Sequence, residues 1–197
     1  MSFKVKDHYF KKAKQENYLA RSIYKLKEIN EKFKIISKGM NVLDLGYFPG
    51  SWIQYTCEVI GEKGKVVGID IKPVNKKLTG IKNVTLLESD YLDFSDWKSL
   101  VPDGKFDVVL SDMAPNTTGI KDVDQARSLG LVEKIIYELP VFLKPNGSLV
   151  FKIFDSNDAQ NEIRNLRKIF KQVKIFRPDS TRSVSKEIFV VAKNYEA

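Results

Sequence analysis

In Asn41-Val42-Leu43-Asp44-Leu45-Gly46-Tyr47-Phe48-Pro49-Gly50-Ser51-Trp52, a short apolar run breaks off at a glycine. A second glycine follows four residues on, and a helix-patterned segment, Trp52–Ile60, comes directly after it. Glycines at such a turn let the backbone approach a ligand closely. Three residues separate Gly46 from Gly50, so the Gly-x-Gly-x-x-Gly spacing that cradles a pyrophosphate is absent. An adenosyl cofactor without a pyrophosphate suits the turn better than a dinucleotide.

Downstream, short runs rich in Val, Ile and Leu alternate with longer helix-patterned segments, the pattern of βαβ units. The expected strands are Asn41–Leu45, Val66–Ile69, Val84–Leu87, Val108–Leu110, Leu149–Ile153, Val173–Phe176 and Ile188–Val191. Besides Trp52–Ile60, helices are expected over Asp124–Leu143 and Ala159–Phe170, with Lys63-Gly64 and Pro145-Asn146-Gly147 as turns. Upstream, Ile23, Leu26 and Ile29 recur at helical spacing, so a basic helical segment of about residues 1–38 precedes the sheet. These elements predict an α/β fold: a seven-stranded, mostly parallel sheet with helices on both faces. At 197 residues the chain is read as one domain.

Ligands of open α/β sheets sit beyond the carboxyl ends of the strands. The second strand runs into Asp70, the third into Ser89-Asp90, the fourth into Ser111-Asp112. Asp70, about 20 residues past the glycine turn, is placed to accept both hydroxyls of a ribose. Asp90 is a candidate for an adenine amino group, and Asp112 for the vicinity of a sulfonium, where a carboxylate favours positive charge. Each of these aspartates alone could be an N-cap or turn residue. Lys152 interrupts Leu149-Val150-Phe151-Lys152-Ile153-Phe154. A lysine is seldom buried without a partner, so it lies either on an edge strand facing water or in a functional site. Desolvated beside another cation, a lysine sheds its proton more readily and serves as a base.

A net charge of +8 favours polyanionic partners through counterion release. No apolar run approaches the ~20 residues that span a bilayer, so no membrane association is expected. The N-terminus carries Lys4, Lys6, Lys11, Lys12 and Lys14 but no apolar secretory signal. The single cysteine, Cys57, cannot form an internal disulfide and is expected to fill core. No metal site is read. The expected setting is intracellular, cytoplasmic or mitochondrial/organellar, and the basic start suits either the remnant of an organellar presequence or an RNA-binding surface.

Several segments together resemble the FtsJ/RrmJ ribose 2′-O-methyltransferases. They are Arg21-Ser22-Ile23-Tyr24-Lys25-Leu26, Val42-Leu43-Asp44-Leu45-Gly46 with Pro49-Gly50-Ser51-Trp52, and Ser111-Asp112-Met113-Ala114-Pro115-Asn116. Phe151-Lys152-Ile153-Phe154 and Pro178-Asp179-Ser180-Thr181-Arg182 with Ser185-Lys186-Glu187 complete the set. The resemblance implies a Rossmann-like methyltransferase fold and S-adenosylmethionine as methyl donor. It further implies a catalytic tetrad of Lys25, Asp112, Lys152 and Glu187, and cofactor contacts at Gly46, Gly50, Trp52, Asp70, Asp90 and Asp112. The implied acceptor is the 2′-hydroxyl of an RNA ribose, a uridine of large-subunit ribosomal RNA, presented free or within the subunit to a monomeric enzyme. Arg21, Lys25, Arg177, Ser180, Arg182 and Ser183 are candidates to grip RNA phosphates. Tyr47-Phe48 departs from the small residues common between this glycine and proline. Rival readings are a transfer-RNA 2′-O-methyltransferase, a small-molecule O-methyltransferase on the same fold, and a non-catalytic RNA-binding assembly factor.

Overall fold

The computed structural model describes residues 3–101, 104–182 and 185–196. The expected runs form seven strands: β1 (Asn41–Leu45), β2 (Lys65–Asp70), β3 (Val84–Glu88), β4 (Phe106–Ser111), β5 (Leu143–Phe154), β6 (Phe170–Phe176) and β7 (Glu187–Tyr195). They lie in one sheet in the order β3-β2-β1-β4-β5-β7-β6. Strands β1 to β5 pair in parallel, whereas β7 runs antiparallel to both β5 and β6. The chain winds from β1 outward to β3, then returns to lay β4 on the other flank of β1. That reversal opens a crevice beyond the ends of β1 and β4.

Helices α1 (Phe3–Gln15), α2 (Ile23–Phe33), α3 (Ser51–Ile60), α4 (Lys121–Phe142) and α5 (Asn157–Leu166) complete the fold. On one face Leu26 and Ile29 of α2 and Ile53 and Ile60 of α3 pack on Val42, Val66, Val108 and Val150. On the other, Ile135 and Leu139 of α4 and Ile163 and Leu166 of α5 pack on Leu43, Val109, Leu149 and Phe151. Coverage of both faces explains why the central strands read as continuous apolar runs. Helix α1 rests on α2 through Ala13, Ile23 and Tyr24.

Several boundaries differ from expectation, three of them for a plain structural reason. The N-terminal segment is two helices, not one. Asn17 takes a left-handed conformation between them, and the Asn30 side chain ends α2 by accepting the Ile35 and Ile36 N–H groups at 3.0 and 2.9 Å. The last helix begins earlier, where the Ser156 hydroxyl caps the Ala159 N–H, and stops at Leu166, because Phe170 is buried at the start of β6. Pro145-Asn146-Gly147 is not a turn between elements. It lies inside β5, whose register jumps from Leu143 opposite Phe106 to Ser148 opposite Val108, with Asn146 left-handed at φ 61°. The extra residues are absorbed as an irregularity of the strand.

Candidate active site

The glycine turn occupies the crevice mouth. Gly46 sits at φ 74°, and a Cβ there would lie 2.5 Å from the Met113 side chain, so both conformation and space demand glycine. At Gly50 (φ 110°) a Cβ would come within 2.2 Å of Leu78. The two aromatic residues between them go opposite ways. Tyr47 folds into the core, 3% exposed, with its ring over Gly68 of β2, where an added Cβ would lie 2.8 Å from the ring. Phe48 turns outward, its ring 4.9 Å from the Lys72 ammonium. The buried Trp52 donates its indole N–H to the Ser22 carbonyl at 2.9 Å, tying α3 to the start of α2. Ser22, Asp44, Gly46, Tyr47, Phe48, Ser51, Trp52 and Asp112 line a crevice of about 10 Å³.

Beyond β2, the Asp70 carboxylate accepts the Phe48 N–H on one oxygen and the Lys72 N–H on the other, each at 2.9 Å. Each oxygen retains a lone pair for a further donor. Asp90 is exposed and accepts the Leu92 N–H at 2.9 Å. Ile71, 63% exposed, and Leu92, 47% exposed, present apolar surface at the same edge, which periodicity alone does not mark.

Asp44 is the residue that sequence reasoning passed over. It is 1% exposed, and neither carboxylate oxygen has a hydrogen-bond partner. Burial, with added repulsion from Asp112 and Asp70, pushes its carboxyl well above the usual carboxylate range. Its signal is the one that marks Lys152: a charged residue interrupting an apolar central strand. A folded-state value above the unfolded one means the native protein binds more protons, so stability falls as pH rises from the unfolded value near 3.9 toward the folded one. Asp44→Asn removes that penalty. In thermal melts without cofactor, its melting temperature relative to wild type is expected to rise with pH across this window. A pH-independent difference would show that Asp44 titrates normally.

The four residues of the implied tetrad form two ion pairs. Lys152, 9% exposed on the interior strand β5, donates to the Asp112 carbonyl at 2.7 Å and to its Oδ1 at 2.8 Å, which excludes the edge-strand alternative. Lys25 of α2 bonds Oε1 of Glu187, the first residue of β7. Phe189 links the pairs. It stands opposite Lys152 across the β5–β7 ladder, and Lys25 Nζ lies 5.4 Å above its ring. Glu187 is therefore a diagonal neighbour of Lys152 on the same sheet face, with backbones about 7–8 Å apart in such a ladder.

Contacts between α2 and the β6–β7 loop hold this arrangement. The Glu28 carboxylate accepts the Asp179 and Ser180 N–H groups at 2.6 and 3.1 Å, and Arg21 donates to the Ser180 carbonyl at 2.6 Å. Ser180 is only 1% exposed, so its side chain shapes this loop from inside and does not face solvent. Arg177 and Arg182 are exposed on the same loop, and Ser183 lies outside the described residues. Cys57 packs partly buried, as expected, and burial pushes its thiol up to about 11, away from nucleophilic use. Among the described residues no cluster of His, Cys, Asp and Glu offers a metal site.

A sheet ordered 3-2-1-4-5-7-6, with a glycine turn after its first strand and carboxylates at the switch point, has the fold of the S-adenosylmethionine-dependent methyltransferases. Fibrillarin from Aeropyrum pernix, solved with S-adenosyl-L-methionine, shares this fold at a TM-score of 0.60 and 18% identity, over 80% of this chain and 68% of that one. The pattern of the FtsJ-like methyltransferase family matches residues 18–195, and the chain belongs to that family. It is 47% identical to the ribosomal RNA large subunit methyltransferase E of Bdellovibrio bacteriovorus over 97% of each chain. It is 45% identical to the Syntrophobacter fumaroxidans protein of the same name, over 97% of this chain and 96% of the relative. A crystal structure described as a ribosomal RNA methyltransferase of Plasmodium falciparum aligns with a TM-score of 0.77 at 29% identity, covering 90% of this chain and 98% of that one.

Proposed function

We propose that this protein transfers the methyl group of S-adenosylmethionine to a ribose 2′-hydroxyl of large-subunit ribosomal RNA. The observation that carries the reading is Lys152, held on a buried strand beside the Lys25–Glu187 pair by the two bonds it donates to Asp112. The names of the relatives at 45–47% identity support the ribosomal RNA acceptor.

The residues present fit the cofactor. A buried carboxylate without a partner, Asp44, borders the crevice together with Asp112, an environment that favours the cationic methionine end. Gly46 and Gly50 leave no side chain in the way, Trp52 walls the crevice, Asp70 takes the ribose hydroxyls and Asp90 the adenine amino group. Ile71 and Leu92 offer apolar surface to the adenine. The cofactor, when bound, supplies an electrophilic methyl group on a sulfonium.

The remaining work falls to the chain. Only as a neutral amine, with two N–H donors and one lone pair, can Lys152 serve as a base; with both donors committed to Asp112, the lone pair of Nζ is left for the incoming hydroxyl. Lys152 takes the proton of that hydroxyl as the oxygen attacks in line. Lys25 and Glu187 orient the ribose, and Arg21, Arg177 and Arg182 meet the phosphates.

Incubation with methyl-labelled S-adenosylmethionine and ribosomal RNA, naked or within large subunits, is expected to yield one ribose-methylated nucleotide, mapped by its resistance to alkaline cleavage. Label appearing on a base, or only on small molecules, would refute the reading. For the cofactor site, Asp70→Ala is expected to weaken S-adenosylmethionine binding by about 10- to 100-fold, the loss of hydrogen bonds to a charged acceptor. Calorimetry measures this directly, and unchanged affinity removes Asp70 from the ribose site.

A further inference from the structure

Among the described residues, a groove outside the active site carries cations and no acids. It runs between α1 and the loop joining α1 to α2, has a volume of about 490 Å³, and receives Lys14, Arg21 and Lys77, with no carboxylate among the described residues that line it. Phe10 stands at this groove, 61% exposed. On the opposite side of α1 a cleft of about 380 Å³ is different in kind: Lys12 and Lys27 there face Glu28, Glu31 and Asp179. The basic surface is thus sorted, with an anion welcomed in one groove and its charge cancelled in the other.

The groove is braced. Gln54 of α3 donates to the Asn17 carbonyl at 3.1 Å and accepts the Leu19 N–H at 2.8 Å, holding the floor before any ligand arrives. It also adjoins the active site along the chain. Tyr18, Leu19, Ala20 and Arg21 line the groove, Ser22 lines the cofactor crevice, and Lys25 belongs to the Lys25–Glu187 pair. Arg21, at the groove, also donates to the Ser180 carbonyl in the loop that leads to Glu187.

We propose that this groove holds an unpaired nucleotide of the substrate RNA flanking the methylated one, with phosphate on Lys14, Arg21 and Lys77 and the base stacked on Phe10. The volume falls in the range of small-ligand sites, and aromatic platforms beside cations are how proteins hold single-stranded bases without reading sequence. The proposal rests on the RNA-methylating function proposed above.

The test uses the full chain and a fluorescein-labelled single-stranded RNA of about 12 nucleotides, followed by anisotropy. Phe10→Ala is expected to weaken binding about tenfold, whatever the RNA sequence, with the salt dependence unchanged, and Phe10→Trp to restore it. Lys14→Ala combined with Lys77→Ala is expected to reduce the slope of log affinity against log salt by about 1.4, two single-strand phosphate contacts. In methylation assays both sets of variants raise KM for RNA and leave kcat and S-adenosylmethionine affinity in place. Lys12→Ala, in the charge-balanced cleft, is the control and keeps wild-type affinity.

Unchanged RNA affinity in both the Phe10 and the lysine variants overturns the proposal, as does an equal loss in Lys12→Ala. Displacement by a polyglutamate peptide but not by unlabelled RNA also overturns it, in favour of an acidic protein partner. Failure of the functional reading looks different: the wild-type protein itself then leaves ribosomal RNA unmethylated.

Discussion

Lys152→Ala is expected to lower kcat for ribose methylation by about 10²- to 10⁴-fold, the usual contribution of a positioned base. S-adenosylmethionine affinity should change little, because the bonds of Lys152 go to Asp112, whereas the proposed cofactor contacts Asp70 and Asp90 are held by loop amides. The mutation removes the group proposed to act on the attacking hydroxyl and leaves the proposed cofactor contacts at Asp70 and Asp90 untouched, so the loss is expected in kcat and not in cofactor binding. Single-turnover methylation with saturating cofactor, set beside calorimetric binding, separates the two. Near-wild-type turnover would sink the assignment of Lys152.

Asp112→Ala should act on stability as well as on activity. The Lys152–Asp112 pair is 9% and 22% exposed on its two sides, so removing the aspartate strands an ammonium in a poorly hydrated place. A loss of about 3 kcal/mol in unfolding free energy is expected. Combining it with Lys152→Met removes the stranded charge and keeps the apolar stem, and stability should return to within about 1 kcal/mol of wild type while methylation stays abolished. Denaturant melts of the single and double variants check this. If the double variant is as unstable as Asp112→Ala alone, the pair is not what Asp112 stabilises.

The order of strands and helices was legible because the sheet is covered on both faces, which turns its strands into apolar runs bounded by glycines and polar turns. Lys152 and the strand-end aspartates were legible for the complementary reason, as charges where an apolar run should continue or end. Asp44 carries the same mark, a charge inside the apolar run that leads into the glycine turn. Lys25, Trp52 and Glu187 were accessible only through family resemblance, since Lys25 on a basic helix and Glu187 at a strand start carry no local mark of function. Phe189 and Glu28 depend on register: one stands opposite Lys152 across β5 and β7, the other reaches loop amides about 150 residues away. The bulge in β5 and the early end of α5 escaped because local turn and helix patterns were overridden by pairing with β4 and by burial of Phe170.

The Tyr47 ring lying over Gly68 makes the glycine turn and the second strand a matched set. A turn with small residues, transplanted here from a relative, would leave a void above Gly68. Conversely, a side chain added at position 68 would collide with the native ring. Neither segment is freely exchangeable alone. Chimeras of this family should therefore be cut so that residues 47 and 68 always come from the same parent.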